Sequence, residues 1–134
     1  MKVHEVINEN ICGKNKNKIY SMMISAIGVG PFDGGCVVMA QAIQIRYGGE
    51  IVVLVGQAQR NVSEEAQHAA VKFNNTLIDY AGAFEPHEFI DRFEQSELAH
   101  SGGHITGVRP MQDGDLPDTP RNTKLASQIA RLLK

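Results

Sequence analysis

The spacing of apolar positions changes repeatedly along this chain, and each change marks an expected element. Residues 1 to 18 are polar and asparagine-rich, with one weak apolar patch at Val6, Ile7 and Ile11. From Lys18 to Ile27, the residues Ile19, Met22, Met23, Ala26 and Ile27 recur at helical spacing. This predicts a helix over 18–27 with a core-facing stripe, ended by Gly28, Gly30 and Pro31. Phe32 to Gly35 reads as a turn, with Asp33 placed to cap the next helix. From Cys36 to Tyr47 apolar residues occupy nearly every side of a helical wheel, broken by Gln41, Gln44 and Arg46. A helix apolar on most sides must be covered on most sides, so this one is expected at the centre of the fold.

Beyond the Gly48-Gly49 stop the period shortens to that of strands. Ile51 to Val55 is a continuous β-branched run that Gly56 should end, and residues 57 to 67 read as a polar loop. His68 to Phe73 and Thr76 to Ala81 flank the turn pair Asn74-Asn75, which predicts a hairpin stopped by Gly82. A helix over 86–98 is expected from Pro86 in its first turn and from Phe89, Ile90 and Phe93 on one face. Ser101-Gly102-Gly103 breaks it before a third strand, His104 to Val108, ended by Pro110. Residues 111 to 118 read as a loop. The last helix is expected over 119–133, starting near Thr119-Pro120, with Leu125, Ile129, Leu132 and Leu133 on one face. The order is helices, then a small antiparallel sheet built of hairpins, then helices. The expectation is an α+β fold in a single domain over 1–134.

Composition narrows the function classes. The chain has 134 residues, 43% of them apolar, enough for one ordinary core. A formal charge of −2 with an isoelectric point near 6.2 carries no global footprint for nucleic acid or an anionic membrane. Lys14, Lys16 and Lys18 read as a solvated loop or helix start. No run approaches the roughly 20 apolar residues of a spanning helix, and Met1 to Glu5 lacks a signal peptide's apolar region. A cytoplasmic protein is therefore expected, with Cys12 and Cys36 as free thiols. The apolar stripes of the first and last helices leave self-association into a homo-oligomer open.

Chemistry concentrates at Cys36. A sulfur at the start of a helix meets backbone N–H groups and the positive end of the helix dipole, which favour thiolate over thiol. A base is available in His68 and an acid in Asp79. If Asn74-Asn75 is a two-residue loop, Phe73 pairs with Thr76, Ala70 with Asp79 and His68 with Ala81. His68 and Asp79 then share one face on a diagonal of about 7–8 Å, which a carboxylate and an imidazole can bridge. A three-residue loop would turn Asp79 to the other face. The carboxylate would fix the tautomer and orientation of the imidazole. Gly34 and Gly35 would allow close backbone approach, and the Cys36 N–H could donate to a developing oxyanion. His100 and His104, with His87 and Cys12 as further donors, have the types of a metal site but lack its spacing, so no metal or other cofactor is expected. Gly28-x-Gly30 lacks the preceding strand and the lysine of a phosphate loop.

In its order and context the constellation resembles the papain-like superfamily of cysteine peptidases and its relatives. Compact bacterial and phage members have a Gly-x-Cys-x-x-x-Ala-x-Ala helix start, similar to Gly34-Gly35-Cys36-Val37-Val38-Met39-Ala40-Gln41-Ala42. Their His-strand-turn-Asp-x-x-Gly pattern is similar to His68 through Gly82. The likeness spans roughly residues 31 to 82. It implies a papain-like fold around the helix at Cys36, with Cys36 as nucleophile, His68 as base and Asp79 as orienting acid. The implied substrate is a peptide, protein or other amide- or thioester-containing molecule. Two departures stand out: no glutamine precedes Cys36 to serve as oxyanion donor, and no aromatic residue follows it. The competing readings are a catalytically inactive interaction module on the same scaffold, of the phage- or toxin-associated kind, and Cys36 as plain core.

Overall fold

The computed structural model describes residues 10–134, so Val6 and Ile7 lie outside the described residues. Five strands, Glu50–Gln59 (β1), Glu65–Phe73 (β2), Thr76–Asp79 (β3), Gly82–Phe84 (β4) and Gly102–Pro110 (β5), form an antiparallel sheet in the order β4-β3-β2-β1-β5. Four α-helices accompany it among the described residues: Lys16–Ile27 (α1), Cys36–Tyr47 (α2), Pro86–Phe93 (α3) and Thr123–Ala130 (α4). The chain is α+β, as its periodicity predicts. No helix among the described residues is long and apolar enough to cross a membrane.

Alternation along the strands sorts the core into two layers. Ala69, Val71, Ile78 and Ala83 face the layer of α1, α2 and α4, where Ile11, Ile19, Met23 and Ile129 are fully buried. Val52, Leu54, Ala70, Leu77 and Phe84 face the opposite way, against Phe89 and Phe93 of α3 and Leu98 beyond it. Helix α2 is central as expected: every residue from Cys36 to Ala40 is buried, as are Ala42 and Ile43, and only its C-terminal end surfaces. Burial of this many apolar side chains, each stabilising by about 1.5–3 kcal/mol, is what fixes α2 between α4 and the sheet.

The β2–β3 hairpin has the register of a two-residue loop: Phe73 opposes Thr76, Lys72 opposes Leu77 and Val71 opposes Ile78. Asn74 makes this turn at φ 54, a left-handed backbone that asparagine tolerates. Side chains of His68 and Asp79 therefore share the face of Ala70 and Leu77.

Several expected boundaries are corrected. Helix α1 starts at Lys16, two residues early, after a 3-10 turn over Gly13–Asn15. Gly56 does not end β1, which runs to Gln59, because its missing side chain admits the β5 backbone: a Cβ there would lie 2.7 Å from the Ile105 Cα. β2 accordingly starts at Glu65, inside the expected loop. Gly82 opens β4 rather than stopping the hairpin, pairing with Asp79 across Tyr80-Ala81. α3 ends at Phe93 and passes into a π-helical turn over Glu94–Leu98 and a 3-10 turn to Ser101. α4 starts at Thr123 instead of near Thr119, because Asn122 supplies the cap, its Oδ1 accepting from the Leu125 N–H at 2.9 Å. Asp33 is not the cap of α2; Gly35 occupies that position.

Two register shifts meet in mid-sheet. Between Leu54 and Val55 the β2 strand carries Gln67 as an extra residue, and between Val55 and Gly56 the β5 strand carries Thr106. Such bulges re-aim the side chains beside them. The first lies immediately before His68. Gly56 and Gly107 flank the second, yet a Cβ on Gly107 would meet nothing within 4 Å. Gly56→Ala should therefore cost about 2 kcal/mol or more, and Gly107→Ala less than about 1 kcal/mol, in urea unfolding midpoints. Equal midpoints for the two variants would contradict this account of the β1–β5 pairing.

Candidate active site

The turn before α2 is built for close approach. The Gly30 N–H donates to Asp33 Oδ1 at 2.5 Å, and the Gly35 N–H donates to the Gly30 carbonyl at 2.8 Å. A Cβ on Gly35 would sit 2.7 Å from that same carbonyl, so only glycine allows the crossing. Gly34, at φ 127, packs on Val29. These two glycines thus shape the turn, and the Gly35 N–H is already committed. Cys36 is left as the first helical residue of α2, where free first-turn amides converge.

Opposite it stands the end of the hairpin. His68 Nε2 lies 2.9 Å from Asp79 Oδ2, and Asp79 Oδ1 accepts the Ala81 N–H at 2.8 Å. Both carboxylate oxygens are engaged, which holds the acid and, through it, the ring. With Nε2 facing Asp79, Nδ1 is the nitrogen left for the sulfur, and the imidazole is hydrogen-bonded to the Cys36 thiol. The Ala69 N–H also bonds the sulfur, at a point where the β2–β3 ladder has already ended. The structure therefore brings Cys36, His68 and Asp79 together, at 6%, 4% and 6% exposure.

Burial alone would keep this pair neutral. It pushes the Cys36 thiol up, but the hydrogen bond and charge of His68, then the N–H groups of Ala69 and Cys36, outweigh it and leave the thiol below its ordinary value. Burial likewise pushes His68 down, and the bonds to Asp79 and Cys36 reverse this and raise it to about 9. Both shifts favour a thiolate facing an imidazolium over the neutral pair. Cys12 is the internal contrast. It is as deeply buried, its sulfur only donates weakly to the Tyr80 carbonyl at 3.9 Å, and desolvation carries it to about 11.

No protein-family model matches this chain, and no curated protein or solved structure matches it. The site rests on its own geometry.

Phe32, read from the sequence as part of a turn, and Phe89 and Phe93, read as one face of a helix, prove to surround the imidazole. Phe32 stacks on His68 with ring centroids 5.3 Å apart and planes 9° apart, and Phe93 at 4.8 Å and 27°. Phe89 lies at 6.5 Å. Their sequence signal was partial: Phe89 and Phe93 share one face of α3, but nothing local ties that face, or Phe32, to His68. The remaining candidates disperse. His100 sits in a 3-10 turn and His104 in β5, so their spacing is not helical. No group of three or more metal-binding side chains occurs among the described residues. Lys14 lies in the 3-10 turn, and Lys16 and Lys18 open α1, with Lys16 5.1 Å from the Tyr80 ring.

Because one imidazole sets the state of the sulfur, alkylation reports the whole site. Iodoacetamide should modify Cys36 at a nearly constant rate from the acidic side of the ordinary thiol range, changing only as His68 loses its proton near pH 9. Asp79→Asn should slow the labelling at about pH 6.5 by about tenfold or more, with Cys12 unlabelled in either protein. A rate that simply climbs with an ordinary thiol titration would contradict the ion pair.

Proposed function

We propose that this protein is a thiol-dependent hydrolase or acyl transferase acting on a peptide, amide or thioester carbonyl, with Cys36 as nucleophile, His68 as acid and base, and Asp79 as the positioning acid. The observation that carries the reading is the double engagement of one buried imidazole, by Asp79 at Nε2 and by the Cys36 sulfur. A cysteine opening a buried helix against an antiparallel sheet that supplies the histidine and the aspartate is similar to the papain-like arrangement. That likeness supports a papain-like fold for the domain.

Each step derives from the placement of these groups. The Cys36 thiolate attacks the carbonyl carbon, the C–S bond forms, and the carbonyl π pair moves to oxygen. The oxyanion develops beside the N–H of Cys36 and the amides of the first turn of α2, which stabilise it without reorganising. As the tetrahedral centre collapses, the bond to the leaving group breaks and the His68 imidazolium gives that group its proton. Neutral His68 then takes a proton from water, whose oxygen attacks the thioester. The acid departs, and the thiolate and imidazolium are restored. If an amine attacks in place of water, the acyl group is transferred.

Mixing with p-nitrophenyl acetate is expected to release a burst of p-nitrophenol equal to the enzyme concentration, with the acetyl group on the peptide containing Cys36. Cys36→Ala should show no burst, and His68→Ala a burst slowed by about a hundredfold or more. Fast alkylation of Cys36 without any acetylation would sink the enzyme reading and leave an interaction module with a reactive thiol.

A further inference from the structure

Two aromatic rings lie stacked on the imidazole whose charge the site has to hold. Phe32, on the turn before α2, has its plane 9° from that of His68 and its centroid 5.3 Å away. Phe93, on α3, lies at 27° and 4.8 Å. The face of a phenyl ring is the negative part of its quadrupole, so a cation within about 6 Å of the centroid is attracted to it, most strongly where water is excluded. His68 is 4% exposed, so little solvent screens that attraction. Phe89 is the internal contrast: it is as deeply buried, but at 6.5 Å and 31° it stands outside that range and tilts out of the stack. The positions in the plane of the imidazole belong to other groups, Asp79 at Nε2 and the Cys36 sulfur at the remaining nitrogen.

We propose that Phe32 and Phe93 are positioning residues that hold His68 as an imidazolium through their ring faces and keep its plane turned so that Nδ1 meets the sulfur. What this implies for acyl transfer rests on the proposed activity. Stacked rings favour the charged imidazole over the neutral one and resist its tipping, so protons enter and leave in the plane of the ring, at the edge that faces the sulfur. In the acyl-enzyme, neutral His68 is by the same argument a stronger base towards water than an imidazole packed between aliphatic side chains. The other charged and titratable groups on the surrounding elements are turned away or engaged. On α3, His87, Glu88, Asp91 and Arg92 are exposed, and Glu94 beyond them accepts the Ile105 N–H. Asp33 on the turn accepts the Gly30 N–H, and Glu65 and Lys72 of β2 are exposed. Asp79 from β3 and Cys36 from α2 are left as the charge partners of the imidazole, and the phenyl rings are its remaining cover.

Fluorination of the rings tests this, because it draws electron density from the ring face while leaving shape and burial nearly unchanged. The full chain would carry a mono-, di- or trifluorinated phenylalanine in place of Phe32 and, in separate proteins, of Phe93 and of Phe89. The imidazolium is followed by the His68 Cε1–H resonance, assigned by its loss in His68→Gln, and the thiolate by its ultraviolet absorbance, with Cys36→Ala as the blank. For Phe32 and Phe93 the pH at which His68 gives up its proton, about 9 in the parent, should fall stepwise with fluorine, by about 0.5 unit or more with the trifluorinated ring. The thiolate should appear at an unchanged pH, because the imidazolium is present on both sides of that step. Fluorination of Phe89 should leave both limits within about 0.2 unit. Titrations indifferent to fluorine at Phe32 and Phe93, or shifted as far by Phe89, would reduce the rings to apolar cover and overturn the proposal while leaving the hydrolase intact. A thiolate limit that moves along with the imidazolium limit would trace the effect to packing and overturn it equally. In the same proteins the pH at which hydrolysis of the acetyl-enzyme levels off should fall in step with His68. Absence of the p-nitrophenol burst would overturn the hydrolase, and the titrations would still decide whether the rings hold the imidazolium.

Discussion

An imidazole at 4% exposure, carrying charge in a layer of phenylalanine rings, is the constraint on which the rest of this structure turns. Such a charge is unfavourable by several kcal/mol unless its protons are bonded and its field is met by opposite charge. Both conditions hold here, through Asp79 at 2.9 Å on one nitrogen and the Cys36 sulfur on the other. Asp79 in turn is steadied by the Ala81 N–H. The chain of dependence runs from a backbone amide in a β-turn to the ionisation of a sulfur on another element.

Three local features bring those groups to one place. The crossing at Gly30 and Gly35 aims the first residue of α2 at the sheet. The bulge at Gln67 turns β2 just before His68. The early end of the β2–β3 ladder leaves room for the sulfur to take the Ala69 N–H. The two apolar layers hold these features in place, and α2 alone contributes seven buried residues. The two cysteines show what the arrangement adds. Both are buried, and only the one with an imidazole and backbone donors is driven towards thiolate.

The phenylalanines have a double part in this. They exclude water, which strengthens every interaction around His68. They also leave a small recess on the Asp79 side.

The amino-acid sequence by itself determined the α+β class, the central place of α2 and the shared face of His68 and Asp79. These are local consequences of period, and the last needs only a two-residue turn and the strict alternation of a strand. It misjudged β4, the far halves of β1 and β2, and the start of α4. In β1 the glycine reads as a stop until the neighbouring backbone that requires it is known; at α4 the cap at Asn122 competes with an equally good start at Thr119-Pro120. Only the tertiary structure decided that Cys36 meets His68, that Phe32 and Phe93 lie against the ring, and that the thiol falls while the imidazole rises. Those outcomes depend on groups far apart in the chain and on the dielectric they jointly create, and neither quantity exists until the layers have packed.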